Sequence, residues 1–165
     1  MKNQKGISII EILAVIVIIG MALVGILSLT TLSLKASISI KKNTQANALA
    51  QETLEAVRNY RDGTGWNFDD PENKYDGLGI LTTGVAYHPE KSSDISPRWM
   101  LIQGEEDVNS FTRKVVFENT FRDATDNIVE TGGINDPNTK KATVTVSWQE
   151  KQLEIITYFT NWAKQ

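Results

Sequence analysis

The chain has 165 residues, a formal net charge of −3 and no cysteine. The missing cysteines exclude a disulfide framework, a thiolate metal site and a cysteine nucleophile. The acidic balance argues against a nucleic-acid partner held by bulk charge.

Within residues 7–34 the only ionisable side chain is Glu11; the rest is Ile, Leu, Val, Ala, Met, Gly, Ser and Thr. A bilayer's hydrocarbon core takes about 20 apolar residues of helix, so this run is long enough to span it. Lys2 and Lys5 precede the run and favour a cytoplasmic amino terminus, whereas Lys35, Lys41 and Lys42 beyond it work against that orientation. A secretory signal would have an apolar stretch of about 7–15 residues closed by a small-x-small cleavage site, and neither feature is present. A lone carboxylate at the centre of a membrane helix costs roughly 2.5–3.5 kcal/mol, so an acid at the start of such a run calls for a partner.

Beyond residue 34 the composition changes but the helical pattern continues. Ala46, Leu49, Ala50, Leu54, Val57 and Tyr60 recur at spacings of three and four and form one apolar stripe. Glu55–Arg58 and Arg58–Asp62 have the spacing of helical ion pairs. Asp62-Gly63-Thr64-Gly65 reads as a stop. One helix is therefore expected over about residues 7–61, roughly 80 Å at 1.5 Å per residue. Its first half is apolar all round and its second half needs a sheet to cover one face.

The remainder supplies strands. Residues 66–79 are rich in turn formers and acids and read as a loop. Strands are expected at 80–87, 98–103, 111–121, 142–148 and 153–159. Val144, Val146 and Trp148 alternate with Thr143, Thr145 and Ser147, and the short Gln149-Glu150-Lys151-Gln152 link predicts an antiparallel hairpin. Phe111, Arg113, Val115, Phe117 and Asn119 are expected to share one face. The fold class is α+β: a long N-terminal helix, membrane-spanning in its first half and amphipathic in its second, packed on an antiparallel β-sheet head. The expected segments are a leader at 1–6, a transmembrane half at 7–34, an amphipathic half at 35–62 and the head at 63–165.

Lys5-Gly6 followed by an apolar residue, with an acid at the fifth position after the glycine and a long apolar helix, resembles the class III signal of type IV pilins and type II secretion pseudopilins. The resemblance implies cleavage of the Gly6–Ile7 bond by a prepilin peptidase, N-methylation of Ile7, and a role in assembly for Glu11. Ile7 stands where phenylalanine is most often found, and no proline precedes Pro71. Cleavage would create an ammonium at Ile7 one helical turn from Glu11. Opposite charges buried in apolar surroundings offset each other's desolvation and penalise wrong registers. Ser110-Phe111-Thr112-Arg113-Lys114-Val115, Thr143-Val144-Thr145-Val146-Ser147-Trp148 and Thr157-Tyr158-Phe159-Thr160-Asn161-Trp162 are similar to the sheet of minor pilins and minor pseudopilins.

The function the resemblance implies is a structural subunit, minor-pilin-like, of a type IV pilus or related filament. A type II secretion pseudopilin is the nearest alternative, and a signal-anchored extracytoplasmic binding domain or enzyme is the alternative from another class. The implied partners are other pilin subunits, the prepilin peptidase and methyltransferase, an inner-membrane assembly platform, and membrane lipid before assembly. The implied location is the inner membrane, single-pass with a cytoplasmic amino terminus, then an extracytoplasmic filament.

No GxSxG, HExxH or P-loop pattern occurs, and no catalytic constellation or cofactor site is predicted. His88 precedes Pro89 and is expected in a surface loop. Asp69, Asp70, Glu72 and Asp76 form an acidic loop without EF-hand spacing; solvated acids are the preferred reading over a calcium site. Gly132-Gly133-Ile134-Asn135-Asp136-Pro137 is expected to be a turn before the final hairpin. Trp66, Trp99, Trp148 and Trp162 are expected to fill core or helix–sheet contacts.

Overall fold

The computed structural model describes residues 8–162. One helix, α1 (Ile9–Gly63), is followed by seven strands: β1 (Ala86–Lys91), β2 (Trp99–Gln103), β3 (Glu106–Val108), β4 (Phe111–Arg122), β5 (Ile128–Val129), β6 (Ile134–Trp148) and β7 (Lys151–Thr160). The chain forms two compact units, Met1–Thr44 and Gln45–Gln165, and α1 runs through both. The architecture is α+β, a long helix whose second half covers an antiparallel sheet.

The first unit holds the apolar half of α1. The sequence gives it no polar face, and residues 8–38 are all exposed. In the second unit α1 has one buried face, made of Ala46, Ala50, Thr53, Ala56, Val57 and Tyr60. Small residues dominate its first turns. Thr53 is fully buried, and its hydroxyl donates to the Leu49 carbonyl at 2.8 Å, so the buried polar group is satisfied within the helix. The expected stripe is recovered, with Leu49 and Leu54 half-buried at its edges. Arg58 pairs with Glu55 as expected. Asp62 instead takes the Arg61 guanidinium at 2.8 Å and the Trp162 indole N–H at 3.3 Å.

The sheet order is β2-β1-β4-β6-β7, with β3 and β5 both on β4, and every pairing is antiparallel. Phe111, Arg113, Val115 and Phe117 of β4 and Ala142, Val144, Val146 and Trp148 of β6 are buried on one face, as their alternation requires. Asn119, the last residue of the expected set, is exposed. Phe111 and Trp148 rings sit 5.7 Å apart and Tyr87 and Phe117 rings 5.9 Å, both tilted. Fully burying a side chain such as Phe117 stabilises by about 1.5–3 kcal/mol.

Two expectations near prolines are corrected. The strand placed at 80–87 begins at Ala86 and runs through His88 and Pro89 to Lys91. Ala86 accepts from the Gly104 N–H and Ser92 donates to the Arg98 carbonyl, so alternate residues of β1 face β2. Pro89 therefore faces the β4 side, where pairing with β4 has ended at Tyr87. Its missing N–H leaves no ladder bond unmade. Likewise, residues 134–137 belong to β6 and are not a turn. The register jumps from Asn119↔Lys140 to Thr120↔Asp136, so Pro137 falls in the bulge, where no ladder bond is required of it. Neither device is visible as hydrophobic periodicity.

The loop 66–79 closes against the helix end. The Tyr60 hydroxyl donates to the Asp76 carbonyl, and burial, reinforced by the Asp76 and Asp70 carboxylates, pushes its pKa up. The Trp66 indole N–H donates to the Pro137 carbonyl at 2.9 Å, tying the loop to the β6 bulge. Arg98 Nη2 donates to the Gly63 carbonyl at 2.7 Å and so caps the last turn of α1. A Cβ on Gly77 would lie 2.2 Å from the carbonyl oxygens of Gly65 and Trp66, so only glycine fits there.

Candidate functional site

The start of α1 is built from a short polar signal. The Glu11 and Ile12 N–H groups donate to the Ser8 carbonyl at 3.0 and 3.2 Å. That makes Ser8 the N-cap residue and puts Glu11 in the first turn, at the third helical position. Ser8-Ile9-Ile10-Glu11 has the S-x-x-E spacing of a capping box, a signal present in the sequence but not used in the expectation of a helix from residue 7. The unsatisfied N–H groups of a first turn favour a carboxylate there by about 0.3–1 kcal/mol when exposed. Gly6 and Ile7, the expected cleavage site, lie outside the described residues. The helix itself begins at Ile9, two residues beyond that bond.

Beyond Glu11 the helix surface is apolar apart from Ser and Thr side chains, of which Ser28, Thr30 and Thr31 turn their hydroxyls to helix carbonyls, until Lys35. Ile9 and Ile10 are each 77% exposed, and the large apolar side chains continue uncovered through Leu34, Ile38 and Ile40. The helix is long and apolar enough to cross a membrane. Such a surface in water would be an aggregation site. A lipid bilayer or neighbouring helices satisfy it.

Two acids of loop 66–79, Asp70 and Asp76, are turned to the chain's own backbone. Asp70 accepts from the N–H groups of Glu72, Lys74 and Tyr75, and Asp76 Oδ1 accepts from the Asp70 N–H at 2.9 Å. Among the described residues no group of three or more His, Asp or Glu side chains is placed to hold a metal ion. Asp69, Asp70, Glu72 and Asp76 are therefore not brought together as a ligand set.

His88 is corrected from a loop to β1, half-buried, with Nδ1 3.3 Å from the Gly104 carbonyl oxygen. Trp66 and Trp148 are core residues and Trp99 is half-buried beneath the Lys91 ammonium, whereas Trp162 is 67% exposed. An open groove of about 810 Å³ lies by the end of β4, lined among others by Glu118, Phe121, Ile128, Glu130, Lys141 and Tyr158. Its residues come from β4 to β7 and from the loops before β1 and after β5, so no local motif announces it. Lys141 pairs with Glu118 at 3.0 Å across its floor.

Residues 1–27 match the family model described as the prokaryotic N-terminal methylation motif. Neither curated proteins nor solved structures give a match to the chain. The matched segment includes the Gly6–Ile7 bond, Ser8, Glu11 and most of the apolar run. The motif supports processing by a prepilin peptidase and assembly with other pilins, and with the long apolar helix it supports membrane anchoring. Residues 1–27 thus carry a class III prepilin signal, which supports a type IV pilin-like protein.

Proposed function

We propose that the protein is a minor-pilin-like subunit of a type IV pilus or related filament. It is held in the inner membrane with its amino terminus cytoplasmic, cut between Gly6 and Ile7, and methylated on Ile7. The observation that carries this reading is Glu11 in the first turn of a helix whose residues 12–34 hold no other ionisable group and are all exposed among the described residues. The ammonium freed at Ile7 is a natural partner for that carboxylate, within one chain or from a neighbouring copy. A pair made across copies rewards one axial register and penalises others, because an unpaired charge in apolar surroundings costs several kcal/mol. Glu11 thereby acts as a register key, and the head supplies the subunit's outer surface.

Intact-mass analysis of the chain extracted from cells that carry a prepilin peptidase tests the processing step; the expected species starts at N-methylated Ile7. A chain that keeps Met1 would overturn the reading in favour of a plain signal-anchored domain. Glu11→Ala tests the assembly role: cleavage is expected to continue while incorporation into filaments drops at least tenfold, about 1.4 kcal/mol or more of lost pairing. Unchanged incorporation would remove Glu11 from assembly.

A further inference from the structure

Residues 12–51 contain no carboxylate, and their only ionisable side chains are Lys35, Lys41 and Lys42. Lys35 and Lys41 are exposed and Lys42 is half-buried. Among the described residues no ion pair involves any of the three. All three lie in the first compact unit, on the same helix as the apolar run. We propose that these lysines form a collar that binds the phosphate groups of anionic phospholipids, in the headgroup layer at the head-side end of the span. This rests on the membrane-anchored reading above.

The helix rise sets the depth. Lys35 lies 24 residues beyond Glu11 in the sequence, about 36 Å at 1.5 Å per residue. A bilayer has a hydrocarbon core of about 30 Å and about 40–45 Å with its headgroups. With Glu11 at one boundary, Lys35 reaches the phosphate level of the opposite leaflet. Lys41 and Lys42 begin about 9–10 Å further out. Side chains on an α-helix lean toward its N-terminus, which on this side of the span is toward the membrane. Long lysine stems leaning that way return their ammonium groups to the headgroups. Ile38 and Ile40, exposed by 58% and 65%, lie between the lysines and give that layer an apolar contact of its own.

The arrangement favours lipid over the carboxylates of a second copy. Glu52 is the first acid after the collar, ten residues beyond Lys42. Parallel helices staggered by less than about 15 Å therefore bring no helix carboxylate opposite Lys42. Nor can the head supply the attraction, because residues 43–165 hold twelve Lys and Arg against nineteen Asp and Glu. The collar is a local positive belt in a chain whose residues 43–165 are acidic overall. Such a belt selects phosphatidylglycerol over phosphatidylcholine, whose headgroup carries a compensating cation.

The test uses the full chain in detergent micelles containing equal amounts of phosphatidylglycerol and phosphatidylcholine, with retained lipid read by native mass spectrometry. The expected result is a preference for phosphatidylglycerol of about tenfold, lost in the triple variant Lys35→Gln, Lys41→Gln, Lys42→Gln and kept when all three become Arg. An unchanged preference in the Gln variant, or none in the parent chain, overturns the proposal. So does zero-length carbodiimide cross-linking of Lys41 or Lys42 to a carboxylate of a second copy without any lipid preference. Vesicle flotation separates the two readings. A chain that floats with neither neutral nor anionic vesicles refutes the membrane anchor itself, whereas equal insertion into both without phosphatidylglycerol retention refutes the collar alone.

Discussion

Arg113 Nε donates to Glu106 Oε2 at 2.6 Å, while its Nη1 lies 3.4 Å from Glu52 Oε1 on α1. One guanidinium, 5% exposed, thus joins β4 to β3 and to the covering helix. A buried charge is costly once a partner is removed, whereas an apolar replacement of similar volume removes the charge altogether. Glu106→Gln is expected to destabilise by about 1–2 kcal/mol, and Arg113→Met to stay within about 1 kcal/mol of the parent. Denaturant unfolding of the full chain in detergent, followed by tryptophan fluorescence, measures both.

Lys140 is also buried, 5% exposed, with its ammonium donating to Asn119 Oδ1 at 2.7 Å. Burial holds its pKa below the usual lysine range. The unfolded chain then binds more protons than the folded one between the two pKa values, so stability rises with pH through that window. Lys140→Met is expected to raise stability at neutral pH by about 1 kcal/mol and to flatten this alkaline rise. Thermal unfolding at pH 7 and at pH values approaching the ordinary lysine pKa reads both effects.

Asp123 closes the turn between β4 and β5. Its carboxylate accepts from the Thr125 hydroxyl at 2.8 Å, from the Asn127 N–H at 3.0 Å and from the Thr125 N–H at 2.8 Å, and its pKa is lowered to about 2. The folded pKa lies below the unfolded one, so its contribution is complete above the ordinary carboxylate pKa and lost as pH falls through about 2. NMR titration is expected to give that midpoint. Asp123→Ala is expected to speed amide exchange at Thr125 and Asn127 while leaving the β6–β7 ladder protected.

Gln149 sits in the two-residue turn between β6 and β7 with φ at 54°. The left-handed region costs an L residue about 1–2 kcal/mol and glycine almost nothing, though glycine adds entropy to the unfolded chain. Gln149→Gly is expected to stabilise by about 0.5–1 kcal/mol, read as a higher unfolding midpoint.

The elements legible in the sequence were those whose pattern is set by burial. Val144, Val146 and Trp148 announced β6 and the Ala46–Tyr60 stripe announced the covered helix face, because each repeats the period of its element. Where a proline stood in a strand, local reading called a loop. Only the register shows that Pro89 faces an unpaired edge and that Pro137 falls in a bulge. Thr53 joined the buried face although it is polar, since its hydroxyl finds a carbonyl one turn back. At the helix start the Glu11 anomaly was plain, yet the helix began at Ile9 because Ser8 caps it. The groove at the end of β4 was hidden for the opposite reason: its residues meet only after four strands have paired.

One helix carries two kinds of constraint on sequence change. At residues 12–34 no side chain touches the chain's own core, so any residue of comparable apolarity serves the anchor and a scan of membrane insertion should see only hydropathy and length. From Ala46 to Tyr60 the buried positions sit at 0–3% exposure against the sheet, where an added methylene has nowhere to go. Mutational tolerance should therefore change abruptly within a continuous α-helix, between Thr44 and Ala46, at a point that neither a break in backbone hydrogen bonding nor a proline marks.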